Sequence, residues 1–212
     1  MGSLESKGMK AASEEARLLA LARSGSSEAF DRLVELHQDR VYGLLLRLTG
    51  SAEDAEDLAQ ECFLRACRAL DQFQGGSAFY TWLYRIALNL ARSGHRSERR
   101  RRGREVPMAV LAGAAARQGD SGDDGDGGIE MAAIESGPDE LAERREMVRK
   151  VQEALEDLSG DHREVVVLRD IEGLDYEEIA DLVGVSREAV KSRLHRARGE
   201  LATRLRRMGC EL

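Results

Sequence analysis

Asp175–Leu205 reads DYEEIADLVGVSREAVKSRLHRARGELATRL. Asp175 can cap a short helix whose inner face is Ile179, Ala180 and Val183. Gly184 permits the left-handed backbone of a tight turn between two steeply crossing helices. Ser186 then caps a second helix, buried through Val190 and Leu194 one turn apart. Ala180 is small where the two helices must approach. This is the spacing of a helix-turn-helix, whose second helix enters the major groove of DNA. Its outward residues are Arg187, Glu188, Lys191, Ser192, His195, Arg196 and Arg198. Arginine and lysine there can reach phosphates or the guanine edge. His195 has no His or Cys nearby in the sequence and reads as a surface residue.

Outward from this motif the chain continues as helices. Pro138–Leu158 carries Leu141, Val148, Val151, Leu155 and Leu158 on one stripe, and Asp161–Ile171 is stopped by Gly173. Upstream, residues 103–137 hold eight of the 21 glycines and the run DSGDDGDGG at 120–128. No helical or strand period survives there, which predicts a flexible acidic linker. Before it, Glu14–Ser24 is amphipathic, and Ser27 can cap a helix that ends at Gly50. Ser51 can cap a third helix reaching about Leu70, with Ala55, Leu58, Ala59, Cys62, Phe63, Ala66 and Leu70 buried. Phe73–Ser77 is a turn, and a last helix spans roughly Ala78–Ser93. The reading is an all-α protein of two helical domains, 14–102 and 138–209, joined by the linker 103–137.

With 212 residues, one or two domains are expected. Charged residues make up 33% and aromatics only 4%, which suits exposed helices better than packed sheets. No apolar run nears the length that spans a bilayer, and no basic-then-apolar signal opens the chain. Cys62, Cys67 and Cys210 cannot pair fully and lack zinc-like spacing, which predicts a reducing cytoplasm. Cys62 and Cys67 both read as buried thiols. No phosphate loop, HExxH pair or nucleophile elbow is present, so neither enzyme, cofactor nor metal is expected.

The net charge of −7 argues against nucleic acid, but its distribution reverses the argument. Ser51–Glu61 holds five acids and no base, while Arg92–Arg104 holds seven arginines against Glu98 alone. Val185–Gly209 holds eight bases against two acids. Two basic segments suggest two contacts with a polyanion, and the acidic ones suit a basic protein partner. Phe73, Phe79, Tyr80, Trp82 and Tyr84 gather five of nine aromatics just before the arginine run. Stacking platforms beside a basic track are how unpaired nucleic acid is held, although some of these rings are expected in the core.

Taken together, these motifs resemble bacterial RNA polymerase sigma factors of the extracytoplasmic-function (ECF) group. DAEDLAQECFLRACRALDQF (54–73) resembles the region that binds the polymerase clamp helices. SAFYTWLYRIALN (77–89) resembles the region that melts and reads the −10 element. REVVVLRDIEGLDYEEIADLVGVSREAVKSRLHRAR (163–198) resembles the −35-binding region. The resemblance implies core polymerase contacts at Asp57, Gln60 and Glu61, facing the β′ clamp helices, with the β flap as a further partner surface. It implies −10 contacts at Arg65, Leu70, Phe73, Tyr80, Trp82, Arg85 and Asn89, with Phe73 and Asn89 around a pocket for a flipped base. It implies −35 contacts at Arg169, Arg187, Lys191, Ser192, His195 and Arg196. An anti-sigma factor is a further implied partner, and no membrane insertion is expected. The competing reading is a helix-turn-helix repressor or activator acting without core polymerase. Such a protein would need neither the acidic helix nor the aromatic segment.

Overall fold

A computed structural model describes residues 2–75, 77–101 and 138–210. Among the described residues there are eight α-helices and no strand, as the all-α reading expects. They are α1 (Gly2–Arg23), α2 (Ser27–Thr49), α3 (Ala52–Ala69), α4 (Phe79–Arg101), α5 (Pro138–Glu156), α6 (Gly160–Val166), α7 (Tyr176–Val183) and α8 (Arg187–Arg207). The linker expected over 103–137 lies outside the described residues. The chain divides into two compact units: one holds α1, most of α2, α3 and α4 through Arg92, and the other holds α5–α8.

In the first unit, α2 contributes Leu33, Val41, Leu44 and Leu45 to the core, and α4 contributes Phe79, Leu83, Tyr84 and Leu88. Each such side chain contributes about 1.5–3 kcal/mol by leaving water. The buried face of α3 is small, with Ala55, Cys62 and Ala66, which allows close approach of its backbone. Leu58, Ala59 and Phe63 are only partly covered. The Cys62 thiol sits 3.6 Å from the Leu83 carbonyl oxygen, and burial pushes its pKa up to about 12. Cys67 corrects the expectation of two buried thiols. It is exposed, because five residues turn the helix about 140° past Cys62. The α2 cap also differs by one residue. The Ala29 N–H donates to Ser26 Oγ at 3.2 Å, and Ser27 is already the first helical residue.

In the second unit, Val165–Leu168, Leu174, Ile179, Val190 and Leu194 form the core of the helix-turn-helix. Asp175 and Glu178 complete a reciprocal capping box on α7. Gly184 takes φ +73°, the left-handed residue at the turn. Ser186 Oγ accepts from the Ala189 N–H at 3.2 Å and starts α8. All three roles fall where the sequence places them. The expected helix Asp161–Ile171 is not uniform. It is α-helical to Val166 and π-helical over Val167–Ile171, where the Glu172 N–H reaches back to the Val167 carbonyl at 3.0 Å. A second cluster of Ala154, Leu205 and Cys210, with Val151, Leu201 and Met208, fixes α5 to α8. Val148 corrects the expected stripe: it is 59% exposed, because packing on α5 begins one turn later, at Val151.

Candidate nucleic-acid interface

The face of α8 opposite its buried stripe is polar and cationic. Arg187, Lys191, Ser192, His195 and Arg196 are all exposed there. Ser192, His195 and Arg196 lie away from Val190, Leu194 and Ala197, with Lys191 at the flank, while Arg187 is exposed because it stands in the first turn of the helix. Arg198, counted outward from the sequence, is drawn back instead. Its Nε donates to Asp170 Oδ2 at 3.0 Å. Arg193 with Asp161 and Arg204 with Asp157 make similar ties within the unit, at 3.5 and 2.7 Å. The cations of α8 therefore divide into those that hold the unit together and those that face solvent.

Arg169 is half-buried, and its Nη1 donates to the Leu174 carbonyl at 2.8 Å. Its guanidinium lies over the Tyr176 ring at 4.8 Å, and Lys191 Nζ lies 5.5 Å from the same ring. Tyr176 thus gathers two cations from different helical segments, a role the sequence reading missed. The available signal was a tyrosine at the first position of a helix, where its ring does not serve the buried face. Arg187 leans toward Glu177 across the turn at 3.3 Å.

In the first unit, Phe73, Phe79 and Trp82 form a triangle with ring centroids 5.4–5.6 Å apart. His37 closes edge-on against Phe79 at 5.3 Å. Leu70 and Phe73 are 5% and 7% exposed, so both side chains sit in the core. Trp82 is half-buried, and Arg85 and Asn89 are exposed. These three follow one another at i, i+3 and i+7 and share one side of α4. Tyr80 stands five residues before Arg85, about 140° around the helix, and is not brought to that side. It lies under Arg40 at 5.0 Å and beside Tyr84 at 5.8 Å. Arg65 is exposed on α3, and its Nε donates to Glu61 Oε1 at 2.7 Å.

A groove of about 810 Å³ runs between α2 and α3. Phe30, Val34, Tyr42, Ala59, Phe63 and Leu64 form its apolar floor and sides. Asp31, Asp39, Glu56 and Gln60 give it an acidic, hydrogen-bonding rim. Asp57 is exposed on the adjoining flank of α3, and Glu61 is partly exposed there. An apolar trough edged by acids suits an amphipathic basic helix. Among the described residues, no group of three His, Cys, Asp or Glu could hold a metal ion. No helix among them is long and apolar enough to cross a membrane.

Residues 33–101 match the Sigma-70 region 2 family, and residues 149–201 match Sigma-70, region 4. The chain is 37% identical over 187 residues to the RNA polymerase sigma-H factor of Pseudomonas aeruginosa, covering 87% of this chain and 90% of that one. It is 37% identical over 181 residues to the ECF RNA polymerase sigma-E factor of Escherichia coli K12, covering 85% and 88%. The chain belongs to the ECF sigma factors. Among solved structures, this sigma factor resembles CnrH, solved in complex with the cytosolic domain of CnrY. That match has a TM-score of 0.61 and 29% identity, over 91% of this chain and 97% of that one. It shares its fold with the sigma factor RpoE of Bartonella quintana, at TM-score 0.60 and 23% identity over 84% and 96%.

Proposed function

We propose that this ECF sigma factor binds core RNA polymerase through the α2–α3 groove and its acidic flank, then selects promoters with two DNA-reading faces. Asp57, Gln60 and Glu61 supply the charge and hydrogen bonds toward the basic clamp helices of the β′ subunit, and the apolar floor supplies the buried area. α8 enters the major groove of the −35 duplex, where Arg196, His195, Ser192 and Lys191 meet base edges and phosphates. Arg169 and Arg187 grip the backbone at the edges of that footprint. Trp82, Arg85 and Asn89 hold the unpaired −10 strand, with Arg65 on the neighbouring helix and Leu70 and Phe73 beneath them. Tyr80 contributes by packing under Arg40.

The observation that carries this reading is the outward cationic face of α8, on a chain whose residues 33–101 also match region 2. A repressor needs only the first of these. Residues 14–102 and 138–209 are the two working domains, and the acidic linker between them passes through the polymerase, where its charge lets it occupy a nucleic-acid channel in the absence of DNA.

At net charge −7, the free protein binds promoter DNA weakly. Core polymerase fixes the spacing of the two faces and converts two weak contacts into one strong one. The protein works in the cytoplasm, where an anti-sigma factor holds it until needed. The neighbour CnrH was itself solved with the cytosolic domain of CnrY on it. The test is pull-down of core polymerase by the full chain, followed by gel shift on promoter DNA with and without core. Binding to DNA only in the presence of core supports the reading. Tight, core-independent binding as a dimer would replace it with a repressor.

A further inference from the structure

The outward side of α8 carries an anion in its first turn. Glu188 is exposed in the first turn of the helix, two residues after the Ser186 cap. It shares its side with Ser192, His195 and Gly199, all exposed, and stands opposite Val190 and Ala197. Arg187 leans toward Glu177 at 3.3 Å and Lys191 toward the Tyr176 ring at 5.5 Å, and both charges also act on the Glu188 carboxyl. Its own backbone N–H and the Ser186 hydroxyl hold the Glu188 carboxyl below the usual carboxylate range, so it is ionised when DNA arrives.

A carboxylate on this face is not neutral toward DNA. It repels every phosphate it nears, and it repels the acceptors that guanine and thymine present in the major groove. Adenine offers a donor beside an acceptor, N6 beside N7. Cytosine offers only the N4 amino donor, which a carboxylate accepts. The first residues of a recognition helix are the ones that reach base edges. We propose that Glu188 is a specificity-determining residue, selecting cytosine at one position of the −35 element and rejecting guanine and thymine there. This inference rests on the reading that α8 enters the −35 groove.

The test uses holoenzyme, the full chain with core polymerase, on a promoter library randomised through the −35 element at one fixed salt concentration. The chain is compared as wild type, Glu188→Gln and Glu188→Ala. The wild type should enrich cytosine over guanine at one position by about tenfold, which is within reach of a single base contact. Glu188→Gln should move that position toward adenine, because an amide pairs with N6 and N7 together. Glu188→Ala should flatten that position and leave the others unchanged. Each preference is a ratio read by the same molecules, so loss of folded protein cancels. Identical base preferences in all three proteins, with a −35 element still selected, would overturn the role of Glu188 alone. Absence of any selected −35 position in the wild type would overturn both this inference and the reading of α8.

Discussion

Arg65 and Glu61 stand one turn apart on α3, joined by a hydrogen bond from Nε to Oε1 of 2.7 Å. One belongs to the proposed −10 surface and the other to the proposed polymerase surface, so the two functions meet in a single ion pair. The side chains are 53% and 39% exposed, and a pair of this kind contributes only about 0.2–1 kcal/mol to stability. Its importance lies in aiming each side chain rather than in holding the fold.

Glu61→Ala should leave the thermal midpoint within a few degrees of wild type and weaken core binding. It should also release Arg65 and change −10 strand affinity. Fluorescence anisotropy with core polymerase and with a single-stranded −10 oligonucleotide checks both. A change in the first and none in the second would separate the two surfaces.

Charge reversal at Asp57 should act more strongly. Asp57→Arg places a cation against a basic partner, at an exposed position where folding is indifferent to it. Core affinity should fall by about tenfold or more at low salt, with the deficit shrinking as salt rises. Equal affinity at low salt would remove Asp57 from the interface.

The arginines of α8 should split by role. Arg196→Ala should weaken holoenzyme binding to its −35 element by about 1–3 kcal/mol and relax preference at one base pair. Arg198→Ala should instead lower stability, because it abandons Asp170, and should leave base preference unchanged. Denaturant unfolding beside −35 library selection distinguishes them.

The thiols should differ in reactivity. Cys67 is exposed, whereas the Cys62 pKa is raised to about 12 by burial, so little thiolate exists at pH 8. Alkylation of the native protein at pH 8, followed by mass spectrometry, should modify Cys67 rapidly and Cys62 only on unfolding. Rapid native labelling of Cys62 would mean that α3 opens away from Leu83.

Burial holds the His37 imidazole below its ordinary value of 6.5, against the opposing pull of the Glu15 carboxylate 3.3 Å away. Between 6.5 and the lower folded value, the unfolded chain binds a proton that the native one does not. Stability from this residue is therefore present above pH 6.5 and is lost as pH falls toward the folded value. His37→Phe should keep the contact with Phe79 and make unfolding less pH-dependent than wild type between pH 7 and 5. The same slope in both proteins would contradict the assignment.

Much of this was legible in the sequence because it is local. Asp175, Gly184 and Ser186 act through hydrogen bonds and dihedrals within a few residues, and each sits where its residue type predicts. The order of the helices followed from apolar spacing for the same reason. What escaped depends on partners distant in the chain. Arg198 looks outward on a helical wheel until Asp170 is placed 28 residues earlier. Val148 fits the apolar stripe until α8 is seen to cover α5 only from Val151 onward. Tyr176 reads as an ordinary first helical residue until Arg169 and Lys191 converge on its ring. Tyr80 belongs to the aromatic cluster in sequence, but helix rotation carries it away from Arg85 and Asn89.

In the proposed function one chain directs core polymerase to promoters through two reading faces. Reconstituted transcription tests it most directly: bacterial core polymerase on a pool of promoter fragments, with and without the purified full chain. Initiation should occur at a discrete promoter class carrying both a −35 and a −10 element, only when the chain is present. Failure to join core, together with dimeric binding to duplex DNA alone, would contradict it.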